Sequence, residues 1–246
     1  MGCFRLTSMA STLSVKTAFV LAGGRGERLR PLTEDRPKPM VEVAGAPILV
    51  HHLKWLRENG IERAVILTGY MHEVIDAYFS EPRIDGLTVN CIAEDRPLGR
   101  GGAFRNGFER SGCTDTLVIA TNGDVLTSQP VEPLTNLHDT SGALVTILLT
   151  QLISPYGIVG VDDFGRVNSF VEKPPLPYWV NAGVYLINST VFARFPTEGD
   201  HEASTFPELA EQGRMAGFQS TEFWSSVESL KDLREANERL YALGRA

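Results

Sequence analysis

A short apolar run at residues 19–22 leads directly into a glycine-rich segment at residues 23–26, close to the N-terminus. The apolar run predicts a buried strand. The glycines after it let the backbone turn and approach a ligand, so that main-chain N–H groups can face phosphate oxygens. Arg25, Arg28 and Lys38 add positive charge nearby, with arginine suited to bidentate contacts and lysine to a point-charge contact. Together these features predict a phosphate-binding turn at the end of the first strand of an α/β fold.

The rest of the chain alternates between short apolar runs and amphipathic segments. Strands are predicted at residues 16–22, 64–68, 87–92 and 116–120, and helices at residues 47–59, 71–79 and 101–110. This alternation indicates βαβ units. Further strand-like runs follow at residues 143–149, 157–161, 167–171 and 182–187, before a final helix at residues 230–243. We therefore predict a Rossmann-like α/β fold with a mainly parallel (mixed) sheet flanked by helices, whose second half is a sheet extension that covers the open end of the first half.

Length and composition agree with one such unit. A chain of 246 residues, of which 43% are hydrophobic and 22% charged, can bury a full core as a single domain. We expect this domain at residues 15–246. Residues 1–14 are mostly polar and show neither a sustained apolar segment nor a small-residue cleavage site, so we interpret them as a flexible N-terminal extension rather than a secretory signal.

Charge and cysteine content limit the partners and the compartment. The formal net charge of −7 argues against nucleic acid and against an anionic membrane, because both need clustered positive charge. No stretch of the sequence approaches the roughly 18 to 20 apolar residues that span a bilayer. The three cysteines are odd in number and widely spaced, which fits neither a disulfide framework nor a zinc site and indicates a reducing cytoplasm. The choice between monomer and homo-oligomer is left open.

Two familiar phosphate-binding motifs do not fit the glycine-rich segment. A P-loop requires Gly-Lys-Ser/Thr at its end, and no such tripeptide follows Gly26. The dinucleotide-binding pattern requires a third small residue where Leu29 stands. Residues 21–40, with their Arg-Pro-Lys-Pro-Met ending, instead resemble the N-terminal signature of the sugar-1-phosphate nucleotidyltransferase family. The resemblance implies the nucleotide-diphospho-sugar transferase type of fold, and it implies that Arg28 and Lys38 bind the triphosphate and stabilise the transition state.

Later motifs follow in the family's order, so that the resemblance covers about residues 17–240. The segment at residues 94–103 resembles the loop that lies against the nucleotide base. Asp124 follows the strand predicted to end at residue 120, which places a carboxylate at the sheet edge where open α/β folds bind ligands. The resemblance implies that Asp124 coordinates Mg2+, an ion that prefers such hard oxygen ligands. The residues implied for nucleotide binding are Leu21, Ala22, Gly23, Gly24, Arg25, Gly26, Glu94, Pro97, Gly99 and Asn122.

Three further segments resemble the half of the family's site that binds the sugar phosphate. The resemblance implies that Gly157 passes close to the sugar ring and that Glu172 accepts hydrogen bonds from sugar hydroxyls. It implies that Lys173 contacts the phosphate, and that the Asn-Ala-Gly segment beginning at Asn181 also contacts the sugar. With these residues the predicted catalytic group consists of Arg28, Lys38, Asp124 and Lys173.

The sequence departs from the family pattern near its end. Family members commonly carry Trp-x-Asp-Ile-Gly, whose aspartate is a second metal ligand, whereas this chain has Ser226 two residues after Trp224. Two alternatives stay open. Glu228 supplies the missing carboxylate, or metal binding rests on Asp124, phosphates and water. Ser229 is equally well interpreted as the N-cap of the final helix.

The implied activity is that of an enzyme of nucleotide-sugar biosynthesis, with a nucleoside triphosphate and a sugar 1-phosphate as substrates. The resemblance favours GTP and a mannose-, glucosamine- or heptose-like 1-phosphate, and leaves members that use UTP, dTTP or CTP open. The altered C-terminal motif leaves open a different class, a non-catalytic regulatory paralogue that binds nucleotide sugars. Because the second pKa of a phosphate monoester is about 6, the attacking oxygen needs no general base, and the sequence offers no obvious nucleophile–base set.

Overall fold

The computed structural model describes residues 14–244. The predicted extension at residues 1–14 therefore lies, except for Ser14, outside the described residues. In the described range the strands are β1 (Thr17–Leu21), β2 (Glu42–Val43), β3 (Ala46–Pro47), β4 (Arg63–Thr68), β5 (Thr88–Ala93), β6 (Leu117–Asn122), β7 (Val125–Thr127), β8 (Val145–Ile153), β9 (Ile158–Val161), β10 (Val167–Val171), β11 (Pro175–Asn188), β12 (Met215–Ser220) and β13 (Trp224–Ser226). The α-helices are α1 (Ile48–Glu58), α2 (His72–Tyr78), α3 (Gly99–Ser111), α4 (Glu132–Ser141), α5 (Thr205–Glu211) and α6 (Leu230–Ala242).

The centre of the fold is a seven-stranded sheet in the order β12-β8-β11-β6-β1-β4-β5. Strands β6, β1, β4 and β5 are mutually parallel. Strand β11 is antiparallel to both β6 and β8, and β12 is parallel to β8. Among the strands described for this sheet, β11 therefore alone runs against the others. The predicted mainly parallel, mixed sheet flanked by helices is confirmed.

Helices cover both faces of this sheet, so its central strands are buried on both sides. On β1, Phe19 packs into one hydrophobic cluster with Phe104 and Phe192, while the next residue, Val20, packs into another with Leu53 and Leu56. Successive side chains on a strand point to opposite faces, so each face of β1 needs its own apolar residues. This is why the strand is an unbroken apolar run instead of an alternating pattern.

The second half of the chain extends the sheet, as predicted. Strands β8, β11 and β12 continue the same sheet beyond β6, and the hairpin of β9 and β10 forms a separate two-stranded sheet. Strand β6 ends at Asn122, two residues later than predicted, and α4 and α5 were not predicted. Which strands become neighbours depends on pairing between segments that are far apart in the sequence. The apolar periodicity of a single segment therefore does not predict the strand order.

The helix boundaries follow local chemistry. Helix α1 ends before Gly60, whose φ of +85° lies in the left-handed region that favours glycine. Helix α6 begins after Ser229, whose side-chain oxygen accepts a hydrogen bond of 3.3 Å from the Asp232 backbone N–H, so the predicted N-cap is confirmed. Across residues 14–244, no helix is both long enough and apolar enough to cross a bilayer.

Candidate active site

Two neighbouring strand ends bring the predicted site together. Leu21 of β1 is paired in parallel register with Asn122 of β6, so both strands leave the sheet at the same edge. The glycine-rich loop at residues 23–26 and the carboxylate of Asp124 therefore emerge at adjacent strand ends. Gly123 permits the close approach, because a Cβ atom there would lie 2.7 Å from the Leu21 carbonyl oxygen.

Gly26 determines how closely Lys38 approaches the loop. Its φ of +64° lies in the left-handed region, and a Cβ atom there would lie 2.7 Å from the Cβ atom of Lys38. The Thr33 hydroxyl donates a hydrogen bond of 2.9 Å to the Gly26 carbonyl oxygen. The loop and the short 3-10 turn Lys38–Met40 thus pack directly together, and a larger residue at position 26 would displace Lys38.

Lys38 lies between two carboxylates. Its Nζ atom is 2.6 Å from Oδ2 of Asp124 and 2.7 Å from Oε1 of Glu228. The other oxygen of Glu228 is 2.6 Å from Nη2 of Arg28. Lys38 is only 8% exposed, whereas the Arg28 side chain is 76% exposed, so the lysine is held inside and the arginine contacts Glu228 from the solvent side. Burial raises the pKa of Glu228, but its contacts with Lys38 and Arg28 outweigh burial and hold that pKa below its ordinary value.

Glu228 reaches this position through strand pairing. Strand β13 pairs antiparallel with β7, which places Ser226 opposite Val125, directly after Asp124. The Ser226 hydroxyl donates a hydrogen bond of 3.2 Å to Glu228 Oε1. The indole N–H of Trp224 donates a hydrogen bond of 2.8 Å to a β11 carbonyl oxygen, which fixes the start of the segment. The C-terminal motif therefore delivers a carboxylate to Lys38 and Asp124 from position 228 instead of 226.

Lys38, Asp124 and Glu228 line one open cleft of about 410 Å³, whereas Arg28 lies outside its lining. Glu94 lies on its wall, where its Oε2 atom accepts a hydrogen bond of 3.2 Å from the Leu98 backbone N–H. Burial raises the pKa of Glu94. Both Gly23 and Gly69 leave room for this carboxylate, because a Cβ atom on either would lie within 3.3 Å of Glu94 Oε1. The predicted residues that line the cleft are Leu21, Gly23, Gly24, Lys38, Glu94, Pro97, Gly99, Asn122, Asp124 and Glu228.

Other predicted nucleotide contacts lie behind or beside this wall. The Ala22 backbone N–H donates a hydrogen bond of 2.8 Å to the Leu67 carbonyl oxygen, so it is already engaged within the sheet. The Arg25 guanidinium lies 5.3 Å from the centre of the Tyr70 ring, a cation–π contact. Gly26 acts through its close packing against Lys38. These residues shape the cleft without lining it.

The predicted sugar residues do not line the cleft, although the Asn-Ala-Gly segment packs against it, since a Cβ atom on Gly183 would lie 2.6 Å from Asn122 Nδ2. Gly157, Glu172, Lys173 and Asn181, all within the described chain, lie outside the lining of the cleft. Gly157 and Glu172 are neighbours, since a Cβ atom on the glycine would lie 2.9 Å from Glu172 Oε2. Lys173 follows β10 with a φ of +46°. Asn181 lies on β11, where its amide is hydrogen-bonded to neighbouring side chains.

A comparison with known protein families agrees with this geometry. The family described as "Nucleotidyl transferase" matches residues 17–242, nearly the whole described chain. The chain belongs to the nucleotidyl transferase family. The matched range includes the glycine-rich loop after β1 and Asp124 after β6, which the parallel pairing of the two strands brings together.

Similar proteins of known name include two nucleotidyltransferases. A mannose-1-phosphate guanylyltransferase from Mycobacterium tuberculosis is 36% identical over 226 residues, which cover 87% of this chain and 62% of that protein. A probable mannose-1-phosphate guanylyltransferase from Oryza sativa subsp. japonica is 33% identical, with the same two coverages. This nucleotidyl transferase family member thus spans about 62% of the length of these curated relatives.

A solved structure with a similar fold is HddC from Yersinia pseudotuberculosis. It is 25% identical in sequence and superimposes with a TM-score of 0.73, over 92% of this chain and 100% of that chain. The same protein has also been crystallised in a complex with GMP-PN. This chain therefore shares its overall fold with this structural relative.

The donor set of this family member fits a magnesium ion shared with a ligand. Within residues 14–244, no group of three or more His, Cys, Asp or Glu side chains is arranged to hold a metal ion. Two carboxylates do converge, Asp124 and Glu228, and both contact Lys38. Mg2+ usually takes one or two protein carboxylates and completes its octahedral shell with water and phosphate oxygens. The residues present fit that arrangement and do not fit an all-protein cage.

Some residues that line the cleft were missed by the sequence prediction. Arg100 belongs to the glycine-rich segment at residues 94–103, so its position was a usable signal. Leu67 lies on β4 opposite Leu21 of β1, where a buried apolar residue is expected for packing alone. The other two missed residues are Pro39 and Ala103, and neither proline nor alanine indicates a function by itself.

Proposed function

We propose that this chain transfers a nucleotidyl group from a nucleoside triphosphate to a sugar 1-phosphate, giving a nucleotide sugar and pyrophosphate. The proposal rests on one observation: Lys38, Asp124 and Glu228 meet at the sheet edge where the glycine-rich loop also emerges. Backbone amides, cations and carboxylates in one cleft suit a reaction in which phosphate charge must be neutralised and the reacting groups aligned.

Each charged residue has a proposed role. Arg28 and Lys38 bind the triphosphate and stabilise the pyrophosphate as it leaves, and Lys173 binds the attacking sugar phosphate. The sugar phosphate is already ionised near pH 7, because its second pKa is about 6, so no side chain is required as a general base. Gly157, Glu172 and Asn181 are the proposed sugar contacts.

Asp124 and Glu228 are the proposed magnesium ligands. When bound, Mg2+ would neutralise phosphate charge at the reacting centre. The two carboxylates hold Lys38 in the cleft, and a metal–triphosphate would offer that ammonium group phosphate oxygens in their place. Metal binding through Asp124, phosphates and water alone is the alternative, and substitution of Glu228 separates the two.

For the substrates we propose GTP and a mannose-like 1-phosphate. Support comes from the curated relatives, which are named mannose-1-phosphate guanylyltransferases, and from the relative crystallised with GMP-PN. This support comes from relatives and not from a base contact in this chain, so UTP, dTTP and CTP are the competing donors. A reducing cytoplasm stays a prediction from the cysteine pattern. Within the described residues, Cys91 and Cys113 are both free thiols.

The test is a panel of the four nucleoside triphosphates and dTTP against mannose, glucosamine, heptose and glucose 1-phosphates, with Mg2+. Pyrophosphate release is the measurement, and the nucleotide sugar is identified by mass spectrometry. We expect one dominant pair that contains GTP. Release with another nucleotide would correct the donor only. Saturable nucleotide-sugar binding without release across the panel would overturn the enzyme and favour a regulatory paralogue.

A further inference from the structure

A charged side chain on the cleft wall is tied to a segment that follows β11. Arg100, in the first turn of α3, donates hydrogen bonds from its backbone N–H and its Nε atom to Asp200 Oδ1, at 3.0 and 3.2 Å. Its Nη2 atom donates to Asp200 Oδ2 at 3.0 Å. Its Nη1 atom lies 2.5 Å from Glu202 Oε2. Two acids therefore hold a cation that lines the proposed nucleotide side of the cleft.

The second oxygen of Glu202 contacts the proposed sugar side. Oε1 of Glu202 accepts hydrogen bonds of 2.8 Å from the Asn181 Nδ2 atom and from the Tyr185 hydroxyl. Asn181 Nδ2 also donates to the Tyr185 oxygen at 2.8 Å, and Asn181 Oδ1 accepts from the Gly183 backbone N–H at 2.9 Å. Both N–H donors of the Asn181 amide are thus engaged, so Asn181 offers a ligand only its remaining acceptor capacity.

The segment that carries Asp200 and Glu202 is fixed against α3 by close packing. A Cβ atom on Gly101 would lie 2.8 Å from the backbone nitrogen of His201, and one on Gly102 would lie 2.7 Å from a carbonyl oxygen of the same segment. His201, between the two acids, is fully buried. It packs against the rings of Phe104, Tyr185, Phe195 and Phe206. A displacement of Glu202 would therefore also displace Arg100 and Asn181, which its carboxylate contacts.

We propose that Glu202 is a positioning residue that couples the nucleotide side of the cleft to the sugar side. The inference rests on the proposed function, which assigns Asn181 to the sugar, and on the sequence-based prediction that Gly99 contacts the nucleotide. The Glu202 carboxylate contacts Arg100, the neighbour of Gly99, and it also contacts the amide of Asn181. A substrate that shifts one side then also shifts the other, because both contacts share one carboxylate on a packed segment. The coupling must be reciprocal, because it is a free energy shared by two binding events.

The experiment measures binding of α,β-methylene GTP with and without saturating mannose 1-phosphate, by calorimetry. For the wild type we expect the sugar phosphate to tighten nucleotide binding at least about fivefold, the low end of typical coupling. Glu202→Gln keeps an acceptor for Asn181 but loses the ion pair with Arg100. We expect the coupling factor to fall to about one and KM for both substrates to rise about tenfold, with kcat changed less than about threefold.

Two matched variants separate coupling from a structural defect. Glu198→Gln removes an acid four residues earlier, which pairs only with the exposed Arg96 in the described contacts, and should leave the coupling factor unchanged. Asp200→Asn loosens Arg100 but leaves the hydrogen bonds of Asn181, so it should raise KM for the nucleotide alone. Thermal unfolding midpoints check that all three variants are folded.

Each outcome decides the matter. A wild-type coupling factor of one, or coupling that survives Glu202→Gln, overturns the inference whether or not the protein turns over. Equal loss in Glu198→Gln also overturns it. Coupling that is lost only in Glu202→Gln, in a protein that releases no pyrophosphate with any substrate pair, supports the inference and overturns the proposed function alone.

Discussion

The two sides of the proposed site are built differently. On the nucleotide side, β1 and β6 are central strands, and residues such as Phe19 and Ile119 are fully buried. On the sugar side, the hairpin of β9 and β10 is a separate two-stranded sheet, where Phe170 is 66% exposed and Val161 58% exposed. Two-stranded sheets are only marginally stable without packing on other elements. Substitutions on the nucleotide side should therefore affect chemistry and stability, and those on the hairpin should affect sugar binding.

The largest expected effect is at the proposed metal ligand. Asp124→Asn removes a charge that contacts Lys38 and the carboxylate proposed for Mg2+. We expect kcat to fall about a thousandfold, the scale seen when a preorganised charge contact is removed. Asp139→Asn, on an exposed position of α4, is the matched control and should retain full activity. Turnover within tenfold of wild type in Asp124→Asn would contradict the assignment.

Substitution of one phenylalanine on each side compares how much each side contributes to the free energy of unfolding. Phe104 is fully buried against Phe195 and His201, so Phe104→Ala should lower the free energy of unfolding by about 3–5 kcal/mol. Phe170→Ala, at an exposed hairpin position, should cost less than about 1 kcal/mol. Denaturant unfolding monitored by circular dichroism gives both values. Equal costs would show that the hairpin is packed as firmly as the central sheet.

The relocated carboxylate predicts a specific rescue. Glu228→Gln should lower kcat about a hundredfold, because it removes a negative charge next to Lys38 and Arg28. Adding Ser226→Asp should restore at least about tenfold, since positions 226 and 228 face the same side. Ser225→Asp in the Glu228→Gln background should restore nothing. Rescue by both aspartates would mean that net charge, and not position, sets the activity.

The buried histidine predicts a dependence of stability on pH. Burial, with a smaller contribution from Arg100, lowers the pKa of His201 to about 4. Its unfolded pKa is about 6.5, so between these values the unfolded state binds more protons and stability falls as pH decreases. His201→Phe should remove about 2 kcal/mol of the loss between pH 7 and pH 5. The test is denaturant unfolding at both pH values, and an unchanged pH difference would contradict the assignment.

The smallest expected effect is on the hairpin side. Lys173→Met removes the proposed contact with the sugar phosphate and keeps the aliphatic stem. We expect KM for the sugar 1-phosphate to rise about tenfold while KM for the nucleotide stays within about twofold, as for loss of one ground-state contact. Lys16→Met, at an exposed ion pair with Glu62, is the control. A larger effect on the nucleotide than on the sugar phosphate would reassign Lys173 to the triphosphate.

Much of the nucleotide side could be predicted from the sequence because its signals are local. Leu21 ends an apolar strand, glycines follow, and Asp124 follows a second apolar strand. Two parallel strands in the same sheet then bring them together. The order of β8, β11 and β12 could not be predicted in this way, because pairing depends on distant partners. The same limit hid the contact of Arg100 with Glu202, since charged residues far apart in sequence are most simply expected to be solvated.

The pairing of β13 with β7 also bears on how the acidic residue of such a site can change its sequence position during evolution. Because alternate residues of an extended segment share one side, an ancestor with acids at both 226 and 228 would keep a negative group beside Lys38 throughout the exchange. Either acid could then be lost by a single substitution while the other keeps its negative charge beside Lys38. An acid that moved by only one position in the sequence would have no comparable intermediate, because its side chain would point to the opposite side of the extended segment, away from Lys38.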